Sequence, residues 1–428
     1  MTKKPVVLCV DDEKFILDTL LSQLRRRFGD AYTYEFAESG EEAVKLIKEL
    51  EEDGQEVRLV ISDQIMPGMK GDELLTYVNE QNKETVKILL TGQASLDSAV
   101  NAINYADLFR YMTKPWQEND LLLTVDKGLE KYSLRSEMLE QIKIFSRFVP
   151  KQFFDALSIN SILDVKLGKS VERKMIVMFS DIRDFTTKSE SMTPKENFEF
   201  INSYLSYVEN NISRNKGFID KFIGDAIMAL FYTEQEALQA SIEMFGSLKK
   251  FNKDFSDKVF APVNIGVGLH TGSLMLGIVG VDSRLQTSVF SDAVNVSSRL
   301  ESLTKYYGSE IIVSESFYEA LGSAKNRYKF RFLGNTLLRG KAGPISIFEV
   351  LDPLFGNVSV LKIQTRVDFE EGVEHYIKSR FVEAGLSFKK VIDINPGDKA
   401  ASCYLEHLSK LITQPSPKNW NGILEIAR

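Results

Sequence analysis

The stretch "GFIDKFIGDAIMALF", residues 217–231, reads as two short apolar strands joined by a tight turn at Gly224–Asp225. A surface hairpin is the plain expectation. Lys221 and Asp225, however, place an ammonium and a carboxylate inside an otherwise apolar run. Upstream, "RKMIVMFSDIRDFT" (173–186) reads as an apolar strand that ends at Asp181, 44 residues before Asp225. Two carboxylates at adjacent strand ends repel, and one is forced toward its protonated form unless a cation holds both. With divalent ions such a pair makes a two-metal site that activates an attacking oxygen and stabilises a leaving phosphate. No His or Cys cluster accompanies the pair, which favours Mg²⁺ (or Mn²⁺) over zinc. "VNIGVGLHTG" (263–272) and "GSEIIVSE" (308–315) add strands, so residues 171–352 are expected to form one α/β unit.

Farther along, "TSVFSDAVNVSSRLE" (287–301) places Asn295 and Arg299 four apart on one helix face. An amide can orient a sugar, and a guanidinium can bind charge developing on a phosphoryl group. Alone, this spacing is an ordinary solvated helix face. Joined to F-x-D-I at 179–182 and K-x-x-G-D at 221–225, it resembles the class III nucleotidyl cyclases, a family of phosphorus–oxygen lyases with an α+β catalytic domain. The resemblance implies that Asp181 and Asp225 hold two metals with help from the Ile182 carbonyl. Phe185 and Thr186 then belong to the phosphate-holding loop. The ribose 3′-hydroxyl attacks the α-phosphorus and pyrophosphate leaves, with Asn295 positioning the ribose and Arg299 stabilising the transition state. In "LLRGKAGPISIFEV" (337–350), Arg339 matches a lysine that binds the terminal phosphates, with Lys341 as the fallback. Lys221 and Ser288 occupy the purine-reading positions. A lysine there donates to adenine N1, and the Ser288 hydroxyl can accept from the 6-amino group, so ATP is expected over GTP. Asp184 and Ser291 stand where the family commonly has glycine, and Arg339 keeps the charge of the lysine but not its shape. His270 in "GLHTG" is expected to make ordinary hydrogen bonds rather than act as a base.

Residues 1–118 alternate short strands ("PVVLCV", "YTYEFA", "VRLVIS", "VKILLTG", "LFRYMTK") with amphipathic helical patterns ("EKFILDTLLSQLRRRF", "GEEAVKLIKELEED"). A βα repeat of this kind makes a doubly wound parallel sheet with helices on both faces. Asp11 and Asp12 close the first strand, Asp63 the third, Thr91 the next and Lys114 the last. In such sheets ligands bind beyond the carboxyl ends of the strands, and this much clustered negative charge calls for a cation. Helix capping explains one of these residues, but not five on successive strand ends. The set resembles the receiver domain of two-component response regulators. That implies Asp63 as phosphoacceptor, with Asp11, Asp12 and the Ile65 carbonyl as Mg²⁺ ligands. Thr91, Tyr111 and Lys114 form the switch, the Lys114–Pro115 bond is cis, and a sensor histidine kinase is the partner.

The 428 residues suggest about three domains. Residues 1–118 carry 14 basic and 22 acidic side chains, a balance of −8 against −7 for the whole chain, so the rest is near neutral. No strongly basic face is left, which argues against nucleic-acid binding. Cys9 and Cys403 form no CxxC pair, as suits a reducing cytosol. The apolar run in "MTKKPVVLCVDDE" is too short for a signal peptide, and no run of about 18 apolar residues predicts a membrane span. A cytoplasmic protein is expected.

Residues 119–170 read as a linker. Leu122, Val125, Leu129 and Tyr132, then Met138, Ile142, Phe145 and Val149, form a helical stripe expected as a coiled coil between two chains, the alternative being packing on its own domain. Within it, "FVPKQFFDAL" (148–157) resembles the cyclase transducer element, and Phe145, Phe148, Phe153 and Phe154 are expected to serve packing. Residues 353–428 read as a short C-terminal α-hairpin with a following helix. That hairpin resembles one tetratricopeptide repeat and is expected to dock rather than stand free.

In the cyclase family, metal and purine residues of one site come from opposite chains. This sequence has both sets, so a head-to-tail homodimer is implied, with cyclase activity controlled by phosphorylation. Rival readings are a guanylate cyclase, a catalytically silent cyclase-like regulator, and a diguanylate cyclase. The last is disfavoured because Ala226 stands where that family has glutamate.

Overall fold

The computed structural model describes residues 3–92, 106–145, 148–161, 164–256, 262–281, 283–338, 343–352, 356–412 and 420–424. The chain divides into two compact units, residues Met1–Phe148 and Val149–Arg428.

The first unit contains β1 (Val6–Val10), α1 (Lys14–Phe28), β2 (Thr33–Ala37), α2 (Gly40–Glu52), β3 (Val57–Asp63), α3 (Gly71–Gln81), β4 (Val86–Thr91), β5 (Arg110–Thr113) and α4 (Glu118–Phe145). Its strands form a parallel sheet in the order β2-β1-β3-β4-β5. Successive side chains of a strand point to opposite faces, so β1 feeds two cores. Val6, Leu8 and Val10 pack with Ala43 and Ile47 of α2 and Leu74 of α3. Val7 and Cys9 pack with Leu17 and Leu20 of α1 and Val125 of α4.

The expected coiled-coil stripe divides along α4. Val125, Leu129 and Tyr132 are buried against this unit's own sheet, whereas Leu134, Met138, Leu139, Ile142 and Phe145 are exposed. The alternative of packing on its own domain therefore holds for the first half. Gly128 shows why: a Cβ there would lie 2.8 Å from Val86 Cγ1, so the helix presses directly on β4. The phenylalanines also divide, with Phe148 exposed and Phe153 in the core.

The second unit begins with α5 (Lys151–Ala156), β6 (Ser170–Ile182), α6 (Phe185–Glu190), α7 (Pro194–Arg214), β7 (Phe218–Ile223), β8 (Ala226–Phe231) and α8 (Glu234–Asp254). Next come β9 (Ile265–Val281), β10 (Arg284–Phe290), α9 (Asp292–Tyr307), β11 (Ile311–Ser314), α10 (Glu315–Ala320), β12 (Lys329–Thr336) and β13 (Ile345–Leu351). Four helices close it: α11 (Asn357–Gln364), α12 (Arg366–Ile377), α13 (Phe381–Ile394) and α14 (Lys399–Ile412). The mixed sheet runs β12-β13-β11-β9-β6-β8-β7, and β10 pairs back onto β9. Ile176 and Met178 of β6 enter a core with α7 and α8, while Met175 and Val177 enter another with α5. Each such fully buried aliphatic side chain contributes about 1.5–3 kcal/mol.

The C-terminal helices dock on this unit. Tyr404, Phe388 and Phe369 share a core with Leu300 and Tyr307 of α9 and Ile347 of β13. Beneath them lies a fully buried ionic cluster. Arg331 donates to Glu349 Oε2 at 2.6 Å and to Asp398 Oδ2 at 2.5 Å, and Lys362 completes the cluster by pairing with Glu349. No helix among the described residues is long and apolar enough to cross a membrane.

Candidate active site

Residues 217–231 form the expected hairpin, with Gly224 in the left-handed region (φ 66°) that a two-residue turn demands. A bulge at Asp220 shifts the register, pairing Ile219 with Ala229 and Lys221 with Met228. Lys221 is half-buried, its Nζ 3.1 Å from Asp220 Oδ2. At the far end, Asp225 meets Asp181 from the neighbouring β6. Both line a cavity of about 260 Å³ together with Ile182, Arg183, Asp184, Phe185, Thr186, Glu301, Ser302 and Lys305.

The electrostatics of this cavity are unbalanced. Burial and the facing Asp181 push Asp225 up to about 7, and burial and Asp181 do the same to Glu301. Asp225 Oδ2 is buried without a hydrogen-bond partner, while Asp181 Oδ1 accepts from the Ile182 amide at 3.0 Å. Two carboxylates with an unsatisfied buried oxygen fit a divalent cation. Among the described residues, no three His, Cys, Asp or Glu side chains form a metal-ligand group. A cation here would draw its remaining oxygens from backbone, substrate or water, as Mg²⁺ commonly does.

Helix α9 carries Asn295, which is exposed, and Arg299, which is half-buried. Ser291, expected as a departure from glycine, caps this helix by accepting from the Ala293 amide at 3.0 Å. The helix lies close against β9 because Gly268 has no side chain. A Cβ there would sit 2.3 Å from Ser297 O. Ser288 is half-buried on β10. Asn295, Arg299, Lys221 and Ser288 do not line the cavity of Asp181 and Asp225 within one chain. Arg339 and Lys341 lie outside the described residues. His270 Nδ1 is 2.7 Å from Ser314 Oγ and 3.2 Å from Ser316 Oγ, an ordinary hydrogen-bonded histidine.

Sequence reading missed Glu301, Ser302 and Lys305. Glu301 and Lys305, four apart on α9, lie two and six residues beyond Arg299 and so on a different face of the helix from it, and no motif in the sequence marks them. Lys305 Nζ sits 2.6 Å from Asp184 Oδ1 and holds that carboxyl below its usual range. Asp184 adopts the left-handed conformation (φ 55°), the backbone reason a glycine suits this position.

At the first unit's strand ends, Lys114 Nζ bridges Asp11 Oδ2 at 2.6 Å and Asp63 Oδ1 at 2.7 Å. Burial raises Asp11 despite Lys114. Burial alone would lower Lys114, and the two carboxylates overcome it. Asp63 Oδ2 accepts from the Ile65 amide at 3.0 Å, Thr91 is buried one residue beyond Leu90, the β4 partner of Asp63, and Tyr111 and Asp12 are exposed. The Lys114–Pro115 bond is cis.

Residues 169–358 match the family model of the adenylate and guanylate cyclase catalytic domain, and residues 7–126 match that of the response regulator receiver domain. An adenylate cyclase of Anabaena cylindrica is 40% identical over 222 residues, 50% of this chain and 44% of that protein. The terminal-differentiation specific adenylate cyclase of Dictyostelium discoideum is 34% identical over 269 residues, 61% of this chain and 13% of that protein. The receptor-type guanylate cyclase gcy-23 of Caenorhabditis elegans is 28% identical over 234 residues, 51% of this chain and 20% of that protein. The chain thus spans less than half the length of each of these relatives.

Proposed function

We propose that this chain, which carries a response regulator receiver domain ahead of an adenylate/guanylate cyclase catalytic domain, converts ATP to 3′,5′-cyclic AMP and pyrophosphate as a head-to-tail homodimer. Receiver phosphorylation at Asp63 sets the rate. The observation that carries the reading is the Asp181–Asp225 pair, two half-buried carboxylates with one buried, unsatisfied oxygen on Asp225, facing a cavity beside Phe185 and Thr186.

In this reading Asp181, Asp225 and the Ile182 carbonyl hold two Mg²⁺ (or Mn²⁺) ions. Bound there, such ions supply charge neutralisation at the attacking and leaving oxygens. Phe185 and Thr186 flank the phosphates. Lys221 donates to adenine N1 and Ser288 accepts from the 6-amino group. Asn295 orients the ribose so that its 3′-oxygen bonds to the α-phosphorus while the bond to the bridging oxygen of pyrophosphate breaks. Arg299 binds the charge that develops on the α-phosphoryl oxygens, and Arg339 or Lys341 binds the terminal phosphates.

Support for the dimer comes from Lys221 and Ser288, which do not line the cavity of Asp181 and Asp225 within one chain. Exposed apolar side chains support it: Phe222 and Ile223 at the tip of the β7–β8 hairpin, and Met275, Leu285 and Phe290 on the β9–β10 arm. Exposed Met138, Ile142 and Phe145 on α4 offer a second contact between copies. In the receiver, Asp11 and Asp12 with the Ile65 carbonyl hold Mg²⁺, a sensor histidine kinase is the phosphate source, and Thr91, Tyr111 and Lys114 relay the change.

Turnover of ATP and GTP with Mg²⁺ or Mn²⁺, assayed side by side, tests the function. Cyclic AMP from ATP well above cyclic GTP from GTP is the expected result. Cyclic GTP in excess selects the guanylate reading, and no product from either selects the silent one. Repeating the assay with Asp63→Asn and a small phosphodonor tests regulation. The wild type is expected to respond and the variant not, and an equal response from both removes Asp63 from the account.

A further inference from the structure

Lys305 stands on the last turn of α9, six residues beyond Arg299, and lines the catalytic cavity. Among the described residues lining that cavity, the carboxylates are Asp181, Asp184, Asp225 and Glu301, and the cations are Arg183 and Lys305. Arg183 is committed: its guanidinium donates to Ser309 O at 2.7 Å, and the charges of Glu301 and Glu310 act on it. Lys305 is differently placed. Its ammonium pairs with Asp184 at 2.6 Å, and both side chains are about two-thirds exposed, at 65% and 62%. Exposed ion pairs contribute little, so exchanging Asp184 for a more highly charged partner costs little. Lys305 also borders a second, larger cavity of about 430 Å³, which gives the side chain room to swing.

The base of the side chain is fixed. Lys399 Nζ donates to Lys305 O at 2.8 Å, and Lys362 Nζ donates to Gly308 O at 2.8 Å. Two ammoniums thus sit at the negative end of α9, a favourable placement for cations. The C-terminal helices therefore hold the helix end from which Lys305 reaches the cavity.

We infer that Lys305 binds the β- and γ-phosphates of the substrate, released from Asp184 when nucleotide enters. The inference rests on the cyclase reading above, and it adds a substrate contact from the same chain as the metal carboxylates. A purely local role is the competing account, in which Lys305 only neutralises Asp184 where glycine would have carried no charge.

A double-mutant cycle on the full chain separates them. The variants are Lys305→Gln, Asp184→Gly and the pair, with Lys305→Arg as the conservative control. The probes are 3′-deoxy-ATP and 3′-deoxy-AMP, which bind without cyclising, alongside kcat and KM for ATP. Lys305→Gln is expected to weaken 3′-deoxy-ATP about tenfold, the size of one charge-assisted hydrogen bond, whether residue 184 is Asp or Gly. Binding of 3′-deoxy-AMP is expected to hold, KM to rise more than kcat falls, and Lys305→Arg to restore most of the loss. The inference is overturned if Lys305→Gln has no effect beside Asp184→Gly, or if both probes weaken alike. A wild type that binds 3′-deoxy-ATP through Lys305 yet makes no cyclic nucleotide overturns the cyclase reading and leaves this contact standing. A wild type that binds no 3′-deoxy-ATP overturns both.

Discussion

Lys87 shows how much a single buried charge sets. Its side chain on β4 is 1% exposed, and its ammonium donates to Asn79 Oδ1 at 2.6 Å and to Lys83 O at 3.5 Å, both neutral acceptors. Burial pushes it down to about 8 from 10.5. The folded state releases this proton more readily than the unfolded chain does, so between about pH 8 and 10.5 the unfolded state binds more protons. Stability therefore rises with pH across that window, and below it the full cost of holding the charge applies, at most about 3 kcal/mol. Lys87→Met is expected to remove the rise. Urea unfolding of wild type and variant at pH 8 and pH 10 checks it, and parallel pH dependence in the two proteins contradicts it. At this scale the sequence was legible where a residue ends a strand. Asp11, Asp63, Asp181 and Asp225 all stand where apolar runs stop. Lys305 was not, because its partner Asp184 lies 121 residues away and nothing local marks either as paired.

Among the elements, strands and most helices could be read from apolar periodicity, while the partners of their polar faces could not. The stripe on α4 resumes after a phase shift in the sequence and reads as apolar on both sides of it, yet its first half is covered by the sheet of its own unit and its second half is exposed. Periodicity reports that a face is apolar, not what covers it. Nothing in the sequence marks Arg331, Glu349, Lys362 and Asp398 as partners, and they meet in the core between β12, β13 and the C-terminal helices. Losing one member of a buried ion cluster leaves its partners uncompensated, at a cost of about 3–5 kcal/mol. Arg331→Met is therefore expected to destabilise the second unit by that amount, because among the described residues the Asp398 carboxylate would retain the Ala401 amide and no cation. Chemical denaturation checks this. A change within experimental error would mean that the cluster does not fasten the tail.

For the whole molecule, the order of a receiver-like and a cyclase-like region was legible because each carries its own set of strand-end residues, and the two family models match residues 7–126 and 169–358 in that order. The division of the site between chains rests on where the hairpin puts Lys221 and Asp225. They are four residues apart, but only Asp225 lines the cavity with Asp181. In the proposed head-to-tail dimer with two equivalent sites, one hairpin would serve two reactions, giving a metal ligand to one and a purine contact to the other. The direct measurement is complementation. Lys221→Ala and Asp225→Ala are each expected to be nearly inactive in cyclic AMP formation from ATP. After mixing and exchange of subunits, half of the dimers pair one variant with the other and hold one intact site, so activity should return to about a quarter of wild type. Two inactive variants that stay inactive when mixed, with subunit exchange verified, would contradict the shared site.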